Sequence, residues 1–315
     1  MKIMLKNRQT NTLARLFKPA LLIAGLLGAG VLLAQPPQDF SKVEIKTNKL
    51  AEGFYYLEGS GGQIGVLTGD DGVFMVDDQY APLSDKITAA VKAISNKPVR
   101  YIVNTHYHGD HVGGNLNFAK GGAVIVAHEN LRKRLAGGLT NNDPGKALTA
   151  EQRMSLPVIT YENAMDFHFN GHDIHVFHVQ PSHTDGDSMV QFKDLNVIMT
   201  GDVFRTVSYP RADAMANGSV LGIMAVYQQM IDMSDDKTLF VPGHGDVSKR
   251  SDVQAQLKML VTIRDRIQAG IKAGKTLEQV QADKPSTEFD ARWSAGSVTN
   301  TVLVEGMYNE LKSKK

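Results

Sequence analysis

The chain has 315 residues, with 34 basic and 33 acidic side chains, ten histidines and no cysteine. Without cysteine it can form no disulfide, thiolate metal site, cysteine nucleophile or iron–sulfur cluster, so any metal must be held by His, Asp or Glu. A composition 42% apolar and 21% charged, with a net charge of +1, is that of a globular protein and gives no reason to expect nucleic-acid binding.

The charge is unevenly spread. Residues 1–34 carry Lys2, Lys6, Arg8, Arg15 and Lys18 and no acid, so the chain beyond Ala34 has a net charge of −4. A charge-free apolar run follows at 19–34. It suits the apolar region of a secretory signal and falls short of the roughly 20 residues a membrane-spanning helix needs. Residues 1–34 are therefore expected to be a signal peptide, with cleavage after Ala34, although Leu32 at −3 leaves the small-x-small rule only half met. A retained N-terminal anchor and an ordinary buried helix are the alternatives. The expected mature protein, 35–315, is a single domain, periplasmic or secreted, with no stable membrane insertion.

Along the mature chain, 43–45 and 54–57 read as short strands. Residues 61–77 read as a hairpin turning at Asp70-Asp71-Gly72. Ser84 is placed to cap a helix to about Ser95, with Ile87, Ala90, Val91 and Ile94 on one face. A buried strand at 99–103 leads to a polar, glycine-rich loop at 104–115, then a strand at 123–126 and a helix at 129–135. The loop at 137–152 is long and polar. The second half repeats the alternation. Strands are expected at 167–169, 174–179, 189–192, 197–199 and 238–241. Helices are expected at 219–233, 253–271, 277–282 and 298–311. Strands and helices thus alternate twice, which is α/β patterning in two similar halves.

Five segments at strand ends carry the chemistry. They are Val76-Asp77-Asp78, Asn104-Thr105-His106-Tyr107-His108-Gly109-Asp110-His111, Pro181-Ser182-His183-Thr184-Asp185-Gly186-Asp187, Thr200-Gly201-Asp202 and Pro242-Gly243-His244-Gly245. Ligand sites gather where loops converge beyond strand ends. Three His and one Asp within six residues are hard to bury separately, because each unpaired group costs about 1–3 kcal/mol. A shared metal removes that cost. Two-residue alternation puts His106 and His108 on one side of an extended segment. Taken together the segments supply His106, His108 and His183 for one ion and Asp110, His111 and His244 for another, with Asp202 placed to bridge. Nitrogen and oxygen donors suit two Zn2+, with Fe or Mn as alternatives. His168, His172, His175 and His178 read as structural, and His128 as a helix-start residue.

This pattern resembles the metallo-β-lactamase superfamily of hydrolases, from about Thr47 to at least His244. His106-x-His108-x-Asp110-His111 resembles the family hallmark, and His183, Asp202 and His244 resemble its later ligand positions in order. The resemblance implies a four-layer αββα sandwich with the metals at one end. It excludes the β-lactamases that use a Cys ligand, since Asp202 stands at that position. His108, where flavodiiron oxidoreductases usually carry Glu, favours a hydrolase.

The implied mechanism is a metal-bridging hydroxide attacking the carbonyl of a small-molecule β-lactam, lactone or (thio)ester, with Asp110 as catalytic residue. Asp78 and Thr184 are candidates for orienting the ligand histidines. Loops 60–63, 137–152 and 204–218 are expected to line the pocket, where Phe204, Arg205, Tyr209 and Arg211 could meet an anionic substrate. A metal-dependent oxidoreductase and a non-catalytic exported metal-binding protein are the competing readings.

Overall fold

Val73, Phe74, Met75 and Val76 are buried side by side, as happens in a strand whose sheet is covered on both faces. They belong to β4 (Gly72–Val76) of the computed structural model, which describes residues 39–137, 147–294 and 298–313. The expected signal peptide at 1–34 and most of the loop at 137–152 lie outside the described residues.

The first sheet runs in chain order. It contains β1 (Lys46–Ala51), β2 (Phe54–Glu58), β3 (Ile64–Gly69), β4, β5 (Val99–Asn104), β6 (Val124–His128) and β7 (Ile159–Tyr161). The pairs up to β4 are antiparallel, and those from β4 to β7 are parallel. Its connections hold α1 (Ser84–Ile94), α2 (Gly109–Val112), α3 (Asn115–Lys120), α4 (Glu129–Ala136) and α5 (Ala150–Arg153).

The second sheet is built from β8 (Ala164–Phe169), β9 (His172–His178), β10 (Ser188–Phe192), β11 (Val197–Met199), β12 (Leu239–Val241) and β13 (Ser248–Lys249). Its spatial order is β13-β12-β11-β10-β9-β8, and only β11 and β12 run parallel. The remaining helices are α6 (Val220–Asp232), α7 (Arg250–Lys272), α8 (Leu277–Ala282), α9 (Thr287–Trp293) and α10 (Asn300–Ser313).

Strand alternation sorts the side chains into three apolar layers. Val73, Met75 and Ile102 face outward onto Ile87 and Val91 of α1 and Phe118 of α3. Phe74, Val76 and Val103 face inward and meet Ile174, Val176 and Phe192 of the second sheet. Met189, Ile198 and Phe240 face out again, onto α6, α7 and α10. Each such aliphatic or aromatic side chain contributes roughly 1.5–3 kcal/mol by burial. The result is the αββα sandwich expected from the sequence.

Several local expectations need correction. Residues 43–45 form no strand; a 3-10 turn at Phe40–Lys42 precedes them and β1 starts at Lys46. Ser84 is not a cap. A 3-10 turn at Ala81–Leu83 leads straight into α1, and the Ser84 hydroxyl donates to the Ala81 carbonyl at 2.9 Å. The loop at 104–115 contains α2. His128 does cap α4, accepting from the Asn130 N–H.

Candidate metal centre

β4, β5, β9, β11 and β12 all end at the same edge of the sandwich, and the five chemical segments leave from those ends. The structure brings all seven sequence-predicted residues together there. His106, His108 and His183 each offer a ring nitrogen, and these lie within 4.8 Å of one another. The same limit holds for His106, His111 and Asp202, and for Asp110, His111 and His244. Asp202 lies between the sets: one carboxylate oxygen is 3.3 Å from His111 Nε2 and 3.2 Å from His244 Nε2, and the other is 3.7 Å from His183 Nε2. Asp110 Oδ2 is 3.2 Å from His244 Nε2.

The surrounding hydrogen bonds fix the tautomers. Asp77 accepts the Thr105 backbone N–H at 2.8 Å and the Thr105 hydroxyl at 2.7 Å. Having given its proton to Asp77, the Thr105 oxygen accepts from His106 Nδ1, 3.1 Å away. Asp77 also accepts from His111 Nδ1 at 2.8 Å. The Arg211 carbonyl accepts from His183 Nδ1 at 2.7 Å, and Asp213 accepts from His108 Nε2 at 2.9 Å. Each ring therefore turns its other nitrogen inward.

That arrangement fits a cation. His106 Nε2, His111 Nε2 and Asp202 Oδ1 are buried without a hydrogen-bond partner. His108 Nδ1 and His183 Nε2 stand 2.9 Å apart, and with both rings neutral neither has a proton to share. Lone pairs facing each other so closely repel unless a positive ion lies among them. Burial and neighbouring histidines push His106 well below the usual imidazole range. Burial brings His183 down to about 4, against the opposing pull of Asp202. Neutral imidazole is the ligating form. Burial resists charge on Asp110, but His111 and His244 outweigh it and hold the carboxyl at about 2.

Glycines make room for these donors. A Cβ on Gly62 would lie 2.1 Å from His111 Cε1, and one on Gly243 would lie 2.0 Å from an Asp202 carboxylate oxygen.

The orienting residues are not those expected. The Asp78 carboxylate accepts from the Gly114 N–H at 2.8 Å and no hydrogen bond joins it to a ligand imidazole, although its backbone N–H donates to the His111 carbonyl at 2.9 Å, so Asp77 holds the role instead. The chain turns through a left-handed conformation at Asp77 (φ 64°), which swings its carboxylate toward His111. Thr184 bonds to Asp187, which also accepts the Ser182 hydroxyl at 2.7 Å, and the three side chains brace the His183 loop. Burial raises Asp187 to about 6 despite those donors. Asp213 was legible only as part of the 204–218 loop, and a backbone carbonyl such as that of Arg211 leaves no mark in a sequence.

The pocket loops divide. Gly61, Gln63 and Val207 line a cleft of about 380 Å3 beside His244, together with Glu44, Glu58 and Asp246. Phe204 and Tyr209 are fully buried, and the Tyr209 hydroxyl donates to Asp290 at 2.8 Å, so neither meets a substrate. The Arg205 guanidinium lies 3.5 Å from Asp202. Of the other histidines, His168, His172 and His175 pair with Asp173, Asp194 and Asp166. His178 donates to the Asp187 carbonyl and stacks on His128 at 3.8 Å.

The chain is 25% identical over 226 residues to the linear primary-alkylsulfatase of Pseudomonas sp. (strain ATCC 19151), covering 60% of this chain and 42% of that protein. It thus spans less than half the length of that relative. The crystal structure of the DIM-1 metallo-β-lactamase superposes with a TM-score of 0.58 at 15% identity, covering 70% of this chain and 99% of that one. The metallo-β-lactamase from Pontibacter korlensis gives 0.57 at 16% identity, covering 69% and 99%. A double mutant of the sec-alkyl sulfatase PisA1 gives 0.62 at 15% identity, covering 84% and 50%. Residues 58–265 match the family model described as the metallo-β-lactamase superfamily, and the chain belongs to that superfamily.

Proposed function

We propose that the chain is an exported, zinc-dependent hydrolase of small carbonyl compounds: a β-lactam, lactone or (thio)ester. In this reading His106, His108 and His183 would hold one ion and Asp110, His111 and His244 a second, with Asp202 placed to serve both. The observation that supports it is the convergence of unpaired, inward-facing donor atoms on one buried point. Divalent ions held there would polarise a carbonyl oxygen and bring the pKa of water toward roughly 7.

The chain's own residues supply the rest. Asp77, Asp213 and the Arg211 carbonyl keep the imidazoles in the ligating tautomer. Asp110 is partly open, with 21% of its side chain exposed, and stays ionised at neutral pH. It can therefore accept a hydrogen bond from the attacking water and orient it. Among the described residues no helix is long and apolar enough to cross a membrane.

Sulfate-ester hydrolysis is the second reading, favoured by the sequence likeness to the alkylsulfatase. Metal analysis with a substrate panel of nitrocefin, acyl-homoserine lactones, thioesters and an alkyl sulfate separates the two. Two zinc ions per chain and turnover of a carbonyl substrate are expected. Sulfate release alone would select the second reading, and two bound ions with no turnover would select a binding role. Cell fractionation and the N-terminal sequence of the mature protein test export.

A further inference from the structure

We propose that Gln63 is a positioning residue for His244 and, through it, for the Asp110–His111–His244 set; this rests on reading that set as an ion site. Gln63 sits just before β3 and is 6% exposed. Its backbone N–H donates to the Gly243 carbonyl at 2.8 Å, and its side-chain Nε2 donates to the Gly245 carbonyl. The two bonds straddle His244. One residue earlier, the Gly62 N–H donates to the Asp110 carbonyl at 3.0 Å, and Gly62 lies where any Cβ would collide with the His111 ring.

Residues 62 and 63 therefore tie the loop after β5, which carries Asp110 and His111, to the loop after β12, which carries His244. Those loops leave different sheets. Across this tie Asp110 Oδ2 stands 3.2 Å from His244 Nε2.

The amide itself points the same way. Gln63 Oε1 is buried and has no hydrogen-bond partner. An unpaired buried acceptor is destabilising, so packing alone would favour an apolar side chain of this size. Donation to Gly245 is what the amide adds. The other side of His244 is held independently: its carbonyl accepts from the Thr206 N–H at 3.0 Å, and the Thr206 hydroxyl accepts from the Asp246 N–H at 2.7 Å. Loss of the Gln63 amide thus leaves the loop folded but free to shift on one side. Gln63 makes no hydrogen bond to His106, His108 or His183, so that set stays as it is.

The test is a Zn2+ titration of metal-free full-length protein against a chromophoric chelator, resolving the two affinities. Gln63→Leu and Gln63→Met keep roughly the bulk of the side chain, and both lose the donor. Each is expected to bind one ion as the wild type does and the second about 10–100-fold more weakly. Two wild-type affinities in a folded variant overturn the proposal. Equal weakening of both sites also overturns it, because the effect then does not pass through His244. Wild-type protein that takes up fewer than two ions overturns the dinuclear reading itself, and the proposal with it.

Discussion

Asp77 and His111 are joined by a 2.8 Å hydrogen bond that is buried on both sides. The same carboxylate reaches His106 through the Thr105 hydroxyl, so one acid orients two imidazoles. Asp77→Asn preserves the left-handed backbone, which Asn tolerates, but replaces the carboxylate that holds the two rings. Zinc affinity should fall about 10–100-fold, read by chelator competition. An affinity within twofold of wild type would show that the rings hold their orientation without this acid.

Asp110→Ala removes the partly open carboxylate beside His244. Turnover on whichever panel substrate proves active should fall by several orders of magnitude, while circular dichroism and the melting temperature stay close to wild type. Unchanged turnover would sink the catalytic role assigned to Asp110.

His183 stays neutral in the folded protein until pH falls to about 4, whereas an unfolded imidazole gains its proton near 6.5. Between those values the unfolded chain binds more protons, so acid destabilises the metal-free protein by up to about 3 kcal/mol, levelling off below about 4. His106, also depressed, acts in the same direction. His111 and His244 are raised by nearby carboxylates against the pull of burial. What they contribute is fully present below 6.5 and declines only at higher pH. Urea unfolding of metal-free His183→Gln should show a flatter stability profile from pH 6.5 to 4. A slope equal to wild type would place the acid sensitivity elsewhere.

Gly62→Ala drives a methyl group into the His111 ring. Overpacking of this kind costs about 1–3 kcal/mol, and the ring can yield only by leaving Asp77. A lowered melting temperature together with loss of zinc is expected, read by calorimetry and elemental analysis. A variant that kept full zinc occupancy would mean that the loop, and not the ring, gives way.

Much of this site was readable from the chain alone, and the reason is local. His106, His108, Asp110 and His111 lie within six residues, so their proximity needs no tertiary knowledge. His183, Asp202 and His244 each follow an apolar strand closely enough to be placed at its end. The supporting residues were harder. Two consecutive acids, Asp77 and Asp78, end β4, and which one reaches a histidine depends on a left-handed turn that no periodicity reveals. Asp213 sits thirty residues from His183 in sequence, inside an irregular loop whose course is set by packing against Tyr107 and His108. The short elements β7, β13 and α9 were missed because segments of two to seven residues, polar throughout in β13 and mostly polar in α9, show too little apolar periodicity to be read without the sheets and helices that stabilise them.

His106, His108 and His111 hang from the first sheet, and His183, Asp202 and His244 from the second. A cation gripped by both groups would act as a clasp across the seam of the sandwich. Separating the halves would then require releasing the ion, which adds about 4 kcal/mol when free metal stands 1,000-fold above its dissociation constant. Chelation should therefore loosen more than the donor loops. Amide exchange should quicken along the inward-facing strands β4, β5, β10 and β11, where Phe74, Val103, Val190 and Met199 meet.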